Sequence, residues 1–106
     1  MAIGKQYRPL PTFLTIKESA VHGLGLFTNS KIGNGTILGL SHMIINETIF
    51  RTPLGGFYNH SEEPNCVKFE KDTVYEYDNI YYHLKTIREI DKGEELLVKY
   101  TLYGLV

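Results

Sequence analysis

A chain of 106 residues, 42% hydrophobic and 22% charged, is long enough for one small core and too short for two. It is too apolar for a disordered chain, and no apolar run approaches the ~20 residues that a membrane helix needs. The net charge of −1 gives no general attraction to nucleic acid or anionic lipid, and the lone Cys66 excludes an internal disulfide, a multi-cysteine zinc site and a CxxC redox pair.

Residues 1–13 carry neither a signal-peptide apolar region nor an Arg-rich amphipathic pattern, so the cytosol or nucleus is the expected location. Past Pro9 and Pro11, residues 12–16 are rich in β-formers and read as the first strand. The Gly33-Asn34-Gly35 turn precedes a strand at residues 37–40. Ile44, Ile45, Thr48 and Ile49 give the one weak hint of helical spacing. Residues 67–70 and 74–77 flank Lys71-Asp72 as a tight hairpin, and residues 80–84 extend it into a meander. Residues 96–100 form a closing strand. Short strands, close turns and ten glycines define a mainly β chain, expected to form a single domain over residues 1–106. Glu62, Glu63, Glu70, Asp72, Glu76 and Asp78 make one acidic stretch, relieved by Lys68 and Lys71. A solvated hairpin edge accounts for it, and a basic peptide would also be drawn to it.

Three clusters carry polar or glycine-rich chemistry. His22-Gly23-Leu24-Gly25-Leu26-Phe27 lets a backbone approach a ligand closely, or simply kinks a strand. It lacks the third glycine of a dinucleotide fold and the Gly-Lys-Ser/Thr of a P-loop. Asn59-His60-Ser61-Glu62-Glu63-Pro64-Asn65-Cys66 gathers hydrogen-bonding side chains in a loop. A Ser61 or Cys66 nucleophile needs a base and an orienting carboxylate in space, which adjacency to His60 does not supply. His22, His42, His60, His83 and Cys66 are too scattered to compose a zinc site. Gly93-Glu94-Glu95-Leu96-Leu97-Val98-Lys99-Tyr100 is a turn entering a strand, with Tyr100 either in the core or placed to orient a reacting amine.

Taken in order, these clusters resemble the SET domain of S-adenosylmethionine-dependent protein lysine methyltransferases. Val21-His22-Gly23-Leu24-Gly25-Leu26-Phe27 and residues 32–39 are similar to the family's opening motif and following strand. Asn59-His60-Ser61 with Pro64-Asn65-Cys66 resembles its N-H-S-x-x-P-N-C motif, and Ile90 to Leu96 with Tyr100 resembles its closing I-x-x-G-E-E-L and tyrosine. The resemblance spans roughly residues 14–104. It implies a β-clip of short curved sheets with a C-terminal pseudoknot, and methyl transfer to a lysine of a protein substrate such as a basic, histone-like tail.

By position, the backbone at Leu24, Gly25 and Leu26 would hold the cofactor's methionine part, and Asn59 and His60 its adenine end. Tyr103 would fold over the cofactor, Tyr100 would be catalytic, and Tyr58, Tyr82 and Val98 would line the substrate channel. A lysine of pKa near 10.4 costs ~4.6 kcal/mol to present neutral at pH 7, which an aromatic, water-poor channel would help to offset. Leu24 and Gly56 stand where the family often carries arginine, and Glu62 where nuclear members carry a zinc-binding cysteine, so no metal is expected. Residues 41–53 are a short version of the family's substrate-groove wall, which a homodimer could complete. The alternative is a SET-fold module without catalysis that binds cofactor or a protein partner.

Overall fold

The computed structural model describes residues 10–70 and 79–100. The hairpin strand expected at residues 74–77 and the candidate lid Tyr103 lie outside them. Two sheets carry the fold among the described residues. Strand β1 (Leu14–Glu18) pairs antiparallel with β2 (Leu24–Thr28) in one. The other has six strands: β3 (Ile37–Ile45), β4 (Thr48–Arg51), β5 (Asn59–His60), β6 (Cys66–Glu70), β7 (Ile80–Thr86) and β8 (Leu97–Val98), in the order β4-β3-β7-β6-β8-β5. One short helix, α1 (Pro53–Gly56), begins at Thr52, whose hydroxyl accepts from the Gly55 N–H and donates to the Leu40 carbonyl at 2.7 Å.

The expected strands recur with shifted bounds. Thr12 and Phe13 belong to a turn, so β1 starts at Leu14. Strand β3 runs past residue 40 to Ile45, with register shifts near Leu38 and Ser41. The hint of a helix at residues 44–49 is overturned: Ile44 and Ile45 end β3, and Thr48 and Ile49 begin β4. Asn46 and Glu47 turn the corner with φ of 49° and 66°, the left-handed pair of a two-residue hairpin whose twist matches its strands. A spacing of i, i+1, i+4, i+5 fits a helix face, but two strands joined by two residues produce it equally well.

The larger correction lies at the C-terminal end. Residues 96–100 do not form one strand, because the segment divides its backbone bonds between the two sheets. The Leu96 N–H donates to the Leu26 carbonyl of β2 at 2.7 Å, and the Thr28 N–H to the Glu94 carbonyl at 3.1 Å. Two residues later β8 lies between β5 and β6, parallel to both. Residues 61–65 arch over it, with the Ser61 N–H donating to the Val98 carbonyl and the Asn65 N–H to the Leu97 carbonyl. The expected pseudoknot is this crossing. Asn59 and His60, read from sequence as loop, become a strand because β8 gives them a partner.

The core sits where the two sheets meet, with Leu26, Leu84, Ile90 and Leu96 fully buried. Polar groups sealed with them are paired, as burial demands. The Thr86 hydroxyl donates to the Gly33 carbonyl and accepts from the Thr36 N–H. Asn65, only 1% exposed, donates from Nδ2 to the Glu95 carbonyl and accepts at Oδ1 from the Leu97 N–H, both at 2.8 Å. Replacing Asn65 by alanine leaves a donor and an acceptor buried unpaired, so Asn65→Ala is expected to lower stability by about 2–4 kcal/mol in urea unfolding. A loss below ~1 kcal/mol would mean that the crossing is held elsewhere.

Candidate active site

Asn59 and His60 are consecutive residues of β5, so their side chains leave opposite faces of the strand. Each face gathers different chemistry.

On the first face, Asn59 is 8% exposed and its Nδ2 is surrounded by acceptors. The Glu95 carboxylate lies at 2.7 Å, Ser19 Oγ at 3.1 Å, and the His22 and Leu24 carbonyls at 3.2 Å each. Three of these neighbours can only accept, which fixes the amide nitrogen toward them. Ser19 Oγ gives its single hydrogen to Glu95 and accepts from the Val21 N–H at 2.9 Å. This hub ties the turn after β1 to β5 and to the segment entering β8. A Cβ at Gly25 would run into the Glu95 carboxylate and come within 3.0 Å of the Ser19 Cβ, so only glycine lets the carboxylate lie there.

The candidate cofactor residues therefore differ in what they offer. Leu24 is half-exposed at the rim. Gly25 is buried under Glu95, and Leu26 is fully buried with its carbonyl already taken by Leu96. Four acceptors share the two hydrogens of Asn59 Nδ2, so acceptor capacity exceeds donor capacity beside the exposed 21–24 turn. Such a cradle fits a cationic ligand group. Ser19 and Glu95, its other members, are not among the site residues expected from sequence: Glu95 stands inside the closing motif, while no sequence signal marks Ser19.

On the second face, His60 Nδ1 accepts the Tyr100 N–H at 2.8 Å, and the two rings meet edge-on at 5.0 Å. The Tyr100 hydroxyl donates to the Tyr58 carbonyl at 3.2 Å, with the rings 6.2 Å apart. Its only hydrogen is thereby committed, and its oxygen lone pairs remain to accept. Tyr58 in turn meets His42 edge-on at 6.3 Å, and Tyr82 stands directly across from His42 in the β3–β7 register. The structure thus brings Tyr100, Tyr58 and His42 into one aromatic chain; Tyr82 is tied to it by strand register with His42, and its ring carries the Lys68 ammonium at 5.4 Å. Val98 is buried and stands beside His60 in the parallel β5–β8 register.

Burial sets the charge of this chain. It pushes the Tyr58 hydroxyl up to about 12 and, with Lys68 and Arg51 nearby, holds His42 down at about 4. Both are neutral at pH 7. Cys66 is 1% exposed and its thiol is pushed by burial to about 12, which disqualifies it as a nucleophile. Ser61 accepts from the Glu63 N–H, and His60 turns to Glu62 and Tyr100 instead of to Ser61. Among the described residues, no three His, Cys, Asp or Glu side chains converge as metal ligands do, and no helix is long and apolar enough to cross a membrane.

A strand passed beneath an earlier loop of its own chain defines a recognisable class of β fold. It is shared with a chain described as a candidate histone methyltransferase of Plasmodium falciparum, with a TM-score of 0.69 and 22% identity over 88% of this chain and 96% of that one. A Polycomb Repressive Complex 2 chain from Chaetomium thermophilum aligns with a TM-score of 0.65 and 18% identity over 82% of this chain, which spans 15% of that chain's length. No curated protein sequence matches. Residues 40–101 match the SET domain, more than half of the chain, and the chain belongs to that family.

The buried histidine makes the fold pH-sensitive. The unfolded chain protonates His42 at 6.5 and the folded chain only near 4, so its contribution is complete above pH 6.5 and is lost as pH falls toward 4. The loss is on the order of 3 kcal/mol. In urea titrations at several pH values, His42→Phe is expected to flatten the stability profile across that window; an unchanged slope would assign the acid sensitivity elsewhere.

Proposed function

We propose that the chain is a protein-lysine N-methyltransferase that takes its methyl group from S-adenosylmethionine. The observation that carries this reading is the division of labour in β5: Asn59 organises an acceptor-rich cradle on one face, and His60 holds Tyr100 on the other. When bound, S-adenosylmethionine supplies a sulfonium-activated methyl, and its ammonium and sulfonium are cations of the kind that cradle suits. In this proposal the His22 and Leu24 carbonyls and Glu95 face the methionine ammonium, the Leu24–Leu26 backbone borders it, and Asn59 borders the adenine, while the His60 side chain, on the opposite face of β5, is left to hold Tyr100. Tyr103 would cover them.

The substrate side follows from the aromatic chain. A lysine amine reaches it as an ammonium and must give a proton to solvent water before its lone pair can attack. Tyr58, Tyr82 and Val98 would line its path with surface that disfavours the charged form, and neutral Tyr58 and His42 add no charge that would hold it. The Tyr100 oxygen, its hydrogen given to the Tyr58 carbonyl, can accept an amine N–H and aim the nitrogen lone pair. Catalysis here is positioning and desolvation, with no strong base required. The partner is then a protein or peptide presenting a lysine in the cytosol or nucleus. Strand β4, exposed along its length, is where a second copy would complete the short wall.

Tyr100→Phe is expected to lower labelled-methyl transfer to histone or lysate proteins by about 10²-fold or more. Binding of S-adenosylhomocysteine should change little. Unchanged turnover would remove Tyr100 from its role, and cofactor binding by wild-type protein that transfers methyl to no substrate would favour the non-catalytic binding module.

A further inference from the structure

Glu62 lies in the loop that arches over β8, and nothing so far assigns it a task. We propose that Glu62 is a positioning residue for Tyr100, acting by selecting the tautomer of His60. The bond from the Tyr100 N–H to His60 Nδ1, at 2.8 Å, exists only while Nδ1 carries no hydrogen. A neutral imidazole has one N–H, so it must then sit on Nε2. That nitrogen lies 2.9 Å from Glu62 Oε2, an atom that can only accept. Left alone, the ring could carry its hydrogen on either nitrogen, and an Nδ1–H would point at the Tyr100 N–H, donor against donor.

The same carboxylate reaches Tyr100 by a second route. Its other oxygen, Oε1, lies 3.3 Å from Nζ of Lys99, the residue before Tyr100. The hydrogen bonds from His60 and Lys99 hold the Glu62 carboxyl below its ordinary range, so it stays an acceptor at neutral pH. The Glu63 N–H bond to Ser61 Oγ, at 2.9 Å, fixes the loop that carries it. The Lys99–Glu62 ion pair is exposed, with Glu62 72% and Lys99 61% accessible, and exposed pairs add little to stability. What the arrangement fixes is a proton and, through it, a main-chain N–H. Because the Tyr100 ring also rests on the His60 ring, the wrong tautomer loosens both the backbone and the aromatic contact.

The consequence for rate rests on the methyltransferase reading; the tautomer itself does not. The experiment is nitrogen-resolved NMR of the His60 ring at about pH 8, where free imidazole is neutral, together with hydrogen exchange of the Tyr100 amide. Wild-type protein, Glu62→Ala and Glu62→Gln are compared. The expected wild-type ring is protonated at Nε2 alone. In Glu62→Ala the tautomers mix, Tyr100 exchanges at least several-fold faster, and kcat falls roughly tenfold with S-adenosylhomocysteine affinity and thermal midpoint unchanged. Glu62→Gln keeps an amide oxygen able to accept from Nε2–H and restores the tautomer and most of kcat. A Glu62→Ala variant with the wild-type tautomer and Tyr100 protection overturns the proposal, whatever happens to the rate. A wild-type protein that transfers no methyl overturns the functional reading instead, and the ring and amide measurements still decide the role of Glu62.

Discussion

Asn65 acts as a strand partner made from a side chain, donating to the Glu95 carbonyl and accepting from the Leu97 N–H while almost wholly buried. Its main chain continues the same work: its N–H goes to the Leu97 carbonyl, and its own carbonyl accepts from the Ile87 N–H. A neutral amide is suited to this place because it carries both a donor and an acceptor, and an unpaired polar atom at this depth is costly. The crossing of residues 61–65 over β8 follows from these bonds. Without it, β5 would have no neighbour, since β8 is the strand with which it pairs.

The site inherits its geometry from that crossing. Once β5 is a strand, alternation sends Asn59 and His60 to opposite faces, and two environments 36 and 40 residues away in sequence are gathered by neighbours. On one face a carboxylate and two carbonyls converge on one amide group, with Gly25 kept bare to admit the carboxylate. On the other face an aromatic chain of neutral rings ends at a tyrosine whose hydrogen is already committed. An acceptor-rich environment and an aromatic one are thus divided by a strand of two residues.

Local pattern made much of this legible. Asn59, His60 and Tyr100 stand in motifs whose residue types announce polar work, and the strand at residues 80–84 shows in its run of β-formers. What pattern could not supply was partnership. Periodicity of two says that a segment pairs without saying with what, so residues 96–100 read as one strand when their bonds divide between two sheets. Asn59 and His60 read as loop for the same reason, because their partner lies far along the chain. Ile44 to Ile49 shows the converse: two short strands and a left-handed turn mimic helical spacing. Ser19, an ordinary serine after a strand, gains its place only through contact with Glu95, 76 residues away.

The central claim is that the Asn59 hub builds a cradle for S-adenosylmethionine, and calorimetric titration with S-adenosylhomocysteine tests it without knowledge of any substrate. The account predicts one site of roughly micromolar affinity, about −8 kcal/mol, that is lost in a folded Gly25→Ala variant whose Cβ displaces the Glu95 carboxylate. A folded wild-type protein that gives no binding heat, at several temperatures and by equilibrium dialysis, would contradict it.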